Sequence, residues 1–293
     1  MTKYPPICYQ GFVKFNLWTF LLSNGLKYLS RMLRHLIVVF FLFSFSIWSQ
    51  ELTLTVEKLD EKLLSADQYW GFDGLGNYFY STNTIVYKDN GSSKTQYQNL
   101  PLGPIKSVDL TNPLRPVVFY EQFNTVVILD NYLNEIQTIN FSNTTPPLVV
   151  NAVGMSNQNR LWVYDSLQQQ IGLFSLTTNT FTPIGNPMQG IWLYAQFSFN
   201  TLQWIDAQSH WKTVSIYGQI ADYGDVPKGI VQFTEGKNFF YIEADQLYYK
   251  SFETNKTYKV EIVEKSIKKI YCKEQILSIF TDKGITNYKI TLP

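Results

Sequence analysis

The sequence predicts an all-β fold, and three observations predict it. From Gln50 onward, short runs of Val, Ile, Tyr, Phe and Trp are bounded by Asn, Asp, Gly and Pro, with almost no apolar stripe of helical period. The runs recur as a unit of up to four strands at a period near forty residues. The last unit stops one strand short, and the first strand-like segment after Gln50 is available to complete it. Together these define a six-bladed β-propeller of four-stranded antiparallel blades, closed by the N-terminal strand of the mature chain. A seventh blade or an open sandwich is the alternative arrangement of the same strands.

The most regular signal is the second strand of each unit, at 77–82, 115–121, 160–165, 202–206, 238–243 and 276–282. A short turn leads from each to a third strand, at 84–88, 125–129, 170–175, 211–217, 246–251 and 285–290. First strands precede them at 68–72, 105–110, 149–155, 191–198, 230–234 and 267–272. Outer fourth strands follow in the first five units, for instance at 94–98, 135–141 and 258–263. The sixth unit ends at Pro293 after three strands, and Glu51–Glu57 is the segment expected to supply its fourth. That closure joins the two ends of the domain in one blade and leaves no open sheet edge.

The segment before the domain has a different character. Leu36–Trp48 is 13 residues without a charge, preceded by Arg31, Arg34 and His35 and followed by Ser49, Gln50 and Glu51. A membrane span needs about 20 apolar residues, whereas a basic flank, a short apolar run and a small residue at Ser49 make a secretory signal. Three regions are therefore expected: an upstream extension over 1–31 with Met32 as the natural start, a signal peptide over 32–49, and a β-propeller domain over 50–293. A signal anchor is the competing reading, because Phe12–Leu22 is also rather apolar, although Lys14 and Asn16 interrupt the region. Cleavage between Ser49 and Gln50 places the domain in the periplasm with no direct membrane span.

Cleavage also changes the charge. The whole chain carries 24 Lys and Arg against 23 Asp and Glu, but five of the bases and none of the acids precede Gln50. The domain keeps 19 bases against 23 acids, a net charge of −4, so nucleic acid is a poor partner for it. Of the two cysteines, Cys8 and Cys272, only Cys272 remains, so no internal disulfide can form and stability must come from the core.

Few residues offer chemistry. His210 is the domain's single histidine, at an expected hairpin tip, so neither a histidine metal site nor a histidine pair can be built. No G-x-S-x-G elbow is present. Asp73-Gly74-Leu75-Gly76-Asn77 lacks the alternating carboxylates and distal Glu of a calcium loop and reads as a hairpin turn, as do Asp89-Asn90-Gly91 and Glu235–Asn238. The Lys265–Lys269 cluster reads as a solvated connection between blades. Trp70, Trp162, Trp192, Trp204 and Trp211 read as aromatic core between blades, with a binding platform as the alternative. Asp109, Asn112 and Asn151 are candidate channel residues for a calcium-assisted hydrolase or lactonase, though no spacing singles them out. No catalytic residue, resident metal or cofactor is expected.

The most regular polar feature is an acid ending the second strand of five units: Glu121, Asp165, Asp206, Glu243 and Asp282, at spacings of 44, 41, 37 and 39, with Ser81 in the first unit. An acceptor at a hairpin corner binds nearby backbone N–H groups, which explains the recurrence by turn chemistry. The same five carboxylates are also the candidate partner-facing residues of a docking ring.

The signal ending Ser49-Gln50-Glu51, the richness in Asn, Tyr and Lys, and six plain blades resemble secreted proteins of Flavobacterium-type Bacteroidota. In kind, the chain is similar to the plug subunit of the type 9 secretion translocon. No motif matches that family residue by residue. The resemblance implies a non-catalytic interaction module whose partner is an outer-membrane or periplasmic protein complex. The last unit runs to Pro293 without a recognisable sorting domain, which implies a resident of the periplasm and not cargo.

Overall fold

The structure is a computed structural model that describes residues 51–293 apart from Gln189, Ile230, Glu235 and Gly236. The expected extension, signal peptide and cleavage point lie outside the described residues. The described residues form 24 strands and three short 3-10 turns. Strand β1 (Leu52–Leu63) is followed by six units. Unit 1 holds β2 (Gln68–Phe72), β3 (Tyr78–Thr82), β4 (Ile85–Asp89) and β5 (Lys94–Gln98). Unit 2 holds β6 (Ser107–Asp109), β7 (Val117–Tyr120), β8 (Thr125–Leu129) and β9 (Glu135–Asn140). Unit 3 holds β10 (Val150–Met155), β11 (Arg160–Asp165), β12 (Gln170–Ser175) and β13 (Thr180–Pro183). Unit 4 holds β14 (Trp192–Phe197), β15 (Thr201–Asp206), β16 (His210–Ser215) and β17 (Ile220–Asp225). Unit 5 holds β18 (Val231–Phe233), β19 (Asn238–Glu243), β20 (Gln246–Ser251) and β21 (Lys256–Glu261). Unit 6 holds β22 (Lys269–Lys273), β23 (Ile276–Thr281) and β24 (Gly284–Ile290).

Units 1 to 4 are separate four-stranded sheets, each paired in sequence order. The first strands lie side by side as an inner ring: β2 beside β6, β6 beside β10, β10 beside β14, β18 beside β22, and β22 back beside β2. Antiparallel pairing within each blade alternates the connections between the two faces of the ring. The second-to-third hairpins and the links between blades leave on one face, called here the corner face. The other hairpins leave on the opposite face, the tip face.

Why these residues form these strands follows from what each side meets. Six separate apolar clusters fill the six gaps between neighbouring blades. A middle strand touches two of them at once. In β8, Val126 and Ile128 face unit 3 while Val127 and Leu129 face unit 1, and all four are fully buried. The second and third strands therefore read as continuous apolar runs rather than alternating ones. Outer strands have one wet edge, and β5 and β17 are mostly exposed or half-buried. Trp162, Trp204 and Trp211 are fully buried in the gaps, with the rings of Trp211 and Phe233 stacked 4.9 Å apart between units 4 and 5. Trp70 and Trp192 pack partly buried against the same kind of core.

Closure uses β1, but not over the expected residues. Val56–Leu63 pair antiparallel with β24, with an irregularity between Lys58 and Asp60. Leu52–Thr55 pair instead with β21 of unit 5, in parallel. The closing segment is thus shifted toward the C-terminal side of Glu51–Glu57, and β1 stitches units 5 and 6 into one eight-stranded sheet. Leu54 and Val56 of β1 pack into the cluster between units 5 and 6. A smaller correction concerns His210, which begins β16 rather than sitting at a hairpin tip.

Gly284 shows how tight this seam is. Its φ is +136°, and a Cβ there would lie 2.2 Å from the Lys62 carbonyl oxygen and 2.6 Å from the Leu64 nitrogen. Gly76 also has a positive φ, +85°, but nothing lies within 4 Å of the position of its Cβ. Gly284→Ala is expected to lower unfolding free energy by about 2–4 kcal/mol, combining backbone strain with a backbone clash. Gly76→Ala should cost only the left-handed penalty of about 1–2 kcal/mol. Urea denaturation of both variants checks the difference, and equal losses would show that β1 is not packed against β24.

Candidate functional site

The five corner acids all end second strands or open the adjoining turn, which places them on the corner face. They do not converge; each serves its own neighbourhood. Asp165 is fully buried, and its Oδ1 accepts from the backbone N–H groups of Val149 at 3.0 Å and Leu167 at 3.1 Å. Its Oδ2 has no partner among the described residues. Asp206 Oδ1 accepts from Gln208 N and His210 N at 3.0 Å each, and its Oδ2 takes Lys212 Nζ at 2.7 Å. Burial opposes the charge of Asp206, but Lys212 and those backbone donors outweigh it, leaving its pKa below the ordinary carboxylate value.

The other three are more open. Glu121 Oε2 pairs with Lys106 Nζ at 2.8 Å, while its Oε1 accepts from Asn151 Nδ2 at 3.0 Å. Asp282 pairs with Lys268, and Glu243 is exposed at the end of β19. In unit 1 the corner is capped by a different residue: Asp67 Oδ2 accepts from Asn83 N at 2.6 Å, beside buried Ser81. The sequence pattern missed Asp67 because it precedes the first strand instead of ending the second. The Asp73–Asn77 segment is the expected hairpin turn, with Asp73 Oδ1 accepting from Leu75 N at 2.8 Å and Asn77 N at 3.1 Å.

The candidate channel residues also separate. Asn112 Oδ1 accepts from Leu114 N at 3.2 Å in its own loop, and Asn151 is engaged by Glu121. Among the described residues no three His, Cys, Asp or Glu side chains are grouped to hold a metal. His210 Nε2 lies 3.0 Å from Asp225 Oδ1 and its Nδ1 3.8 Å from Asp222 Oδ2, in the outer half of blade 4. The Cys272 thiol is pushed up to about 12 by burial, which suppresses its reactivity.

Asp109 links neighbouring blades on the inner ring. It ends β6, and its Oδ2 accepts from Met155 N of β10 at 2.8 Å. Its Oδ1 lies 2.8 Å from Thr111 Oγ1, which also lies 3.1 Å from the Phe197 carbonyl oxygen of β14. A hydroxyl has one hydrogen and cannot donate to both oxygens. While Asp109 is ionised the Thr111 hydroxyl serves one of the two oxygens at a time, whereas a proton on Asp109 Oδ1, held only below about pH 6, would let Asp109 donate to Thr111 and Thr111 donate to Phe197. Burial raises the pKa of Asp109 to about 6, despite the opposing hydrogen bonds from Met155 and Thr111. Burial, and then the nearby charge of Asp109, push up the pKa of Tyr271 on β22.

No protein-family model matches the chain, and no curated protein sequence matches it. Solved structures do. A Bacteroides thetaiotaomicron protein of unknown function aligns with a TM-score of 0.54 at 14% identity, over 82% of this chain and 73% of that one. The β-propeller domain of Cps50 (Swd1) from Myceliophteria thermophila aligns with a TM-score of 0.54 at 9% identity, over 80% and 100%. A catalytically inactive virginiamycin B lyase from Staphylococcus aureus, solved with quinupristin, aligns with a TM-score of 0.52 at 12% identity, over 83% and 99%. At such identities these likenesses establish the β-propeller fold.

Two predictions follow from the geometry of the acids. Asp109 holds its proton more tightly folded than unfolded, so its contribution is full below about pH 4 and is lost as pH rises through about 6. The loss approaches roughly 2–3 kcal/mol. Asp109→Asn, which reproduces the protonated group's donor and acceptor, should remove this dependence when urea unfolding is followed from pH 4 to 8. Separately, Asp206→Ala, which strips a buried turn of its acceptor and Lys212 of its partner, should cost about 1–3 kcal/mol. Glu243→Ala should stay within about 0.5 kcal/mol.

Proposed function

We propose that the protein is a non-catalytic interaction module, a rigid ring whose corner face docks on a protein complex of the outer membrane and periplasm, of the type 9 secretion kind. The observation that carries this reading is an exposed apolar patch on that face. Leu167 is 70% exposed, Ile191 73%, Leu193 63% and Val149 48%. Hydrogen bonds tie the segments that carry or adjoin them to the β11–β12 hairpin. Ser166 N and Oγ both donate to the Val149 carbonyl, Met188 N donates to Gln169 O, and Tyr164 Oη lies 3.2 Å from the carbonyl oxygens of both Met188 and Gly190, donating to one at a time. A patch of this kind on a rigid frame is what a protein partner covers.

Stacked rings support the patch from beneath. Tyr164 lies on Trp192 with centroids 4.0 Å apart, and Trp192 lies on Trp204 at 5.0 Å. The patch is therefore preorganised, which lowers the ordering cost of binding. Glu243 and the ion pairs of Glu121 and Asp282 lie on the same face and can serve as its polar rim. A calcium-dependent hydrolase would need convergent channel carboxylates and amides, whereas Asp109, Asn112 and Asn151 each serve a different structural bond.

Tagged protein purified from the native envelope, followed by mass spectrometry, tests the reading. Wild type and a tip-face variant, Tyr132→Asp, should recover the same envelope complex. The corner-face double variant Leu167→Asp with Leu193→Asp should lose it while melting as wild type does. Equal recovery by the double variant, or no recovered partner with wild type, would contradict the proposal.

A further inference from the structure

Lys268 and Lys269 are adjacent in the expected solvated cluster, yet the fold separates them. Lys268 is exposed and pairs with Asp282. Lys269 opens β22, the innermost strand of unit 6, and its Nζ lies 5.9 Å from the ring centroid of Tyr194 on β14, the innermost strand of unit 4. Unit 5 intervenes between these two strands around the ring, so the Lys269 side chain reaches past unit 5 on the inner side of the ring.

That ammonium has no counter-charge. Among the described residues it makes no hydrogen bond and no ion pair. Burial lowers its pKa, and no carboxylate offsets the effect. The Tyr194 ring stands near the roughly 6 Å limit of a cation–π contact. Lys269 is half-buried, and an unpaired ammonium partly withdrawn from water is costly because buried charges are ordinarily paired.

A second excess of donors lies beside it. Gln196 Oε1 accepts from Tyr194 Oη at 2.9 Å, Gln232 Nε2 at 3.0 Å and Phe233 N at 3.1 Å. A carbonyl oxygen has two lone pairs, so one of the three donors is surplus. The backbone N–H of Phe233 is fixed, and Gln232 Nε2 also bonds to the Phe233 carbonyl. The Tyr194 hydroxyl is the donor free to rotate away.

We propose that the channel binds an oxyanion group, a carboxylate or a phosphate, held by Lys269 Nζ and Tyr194 Oη. An ammonium without an acceptor and a hydroxyl on an over-subscribed one, on the innermost strands that flank unit 5, suit a group that presents two oxygens to both. The site is independent of the corner-face patch, and either can fail without the other.

The test uses sodium phosphate and sodium acetate as probes, with sodium chloride at equal ionic strength as the baseline, read by titration calorimetry and thermal melting. Wild type should bind at least one of the two oxyanions saturably and melt higher with it than in chloride. Lys269→Met should lose about tenfold or more in affinity, as removal of one charge-assisted contact implies. Tyr194→Phe should weaken binding by less, and Lys269→Arg should retain it. A short peptide with a free C-terminus that binds more tightly than its amide would identify a chain terminus as the source. Oxyanion binding without that preference would identify a free small anion. The proposal is overturned if wild type shows no saturable binding of either oxyanion, or if Lys269→Met and Tyr194→Phe bind as wild type does.

Discussion

Closure by β1 is the constraint on which the rest of the structure depends. A ring of blades is stable only if its first and last units meet, because an open ring leaves an apolar face and an unpaired edge at each end. Here the seam is doubled: β1 pairs with β24 over one stretch and with β21 over another, so a single strand binds units 5 and 6 along their outer edges. The gap between units 6 and 1 is apolar, with Tyr69 and Tyr80 packed against Phe280 and Ile285. Each of the six gaps has its own core, and each core depends on both neighbours staying in place.

The inner ring solves a different problem. The inward edges of the first strands carry backbone groups that no further strand can pair, and side chains from neighbouring blades take over that role. Asp109 accepts from Met155 N, and Gln196 both accepts from Phe233 N and donates to Phe233 O. These contacts are polar, long-range and specific to one pair of blades, unlike the apolar gaps. They give the channel its character, including a carboxyl group whose pKa is raised by burial and an ammonium without an ionic partner.

This division explains what could be read in the sequence. The middle strands were legible because burial on both sides makes them unbroken apolar runs; β11, β12, β19 and β20 fall on the expected residues. Asp165 and Asp206 were legible because a corner acceptor is a local device. The second half of β1, Glu57-Lys-Leu-Asp-Glu-Lys62, was not, since it is an outermost strand whose exposed charges resemble a loop. The channel was hidden for another reason: Asp109 and Met155 are 46 residues apart, Thr111 and Phe197 86, and no local pattern marks either pair. Lys269 looked like one of a basic cluster until the ring placed it inside.

Rigidity links the fold to the proposed docking role. The patch around the β11–β12 hairpin is useful to a partner only if blades 3 and 4 hold still, and their stacked aromatic core depends on a ring that does not open. Hydrogen–deuterium exchange tests that dependence most directly. If β1 closes the ring, the paired amides of β1, β21 and β24 should open only with the same free energy as those of β11 and β12, in one cooperative unit. Fast exchange in β1 and β24 while β11 and β12 stay protected would contradict it, because the blades would then hold together without their seam.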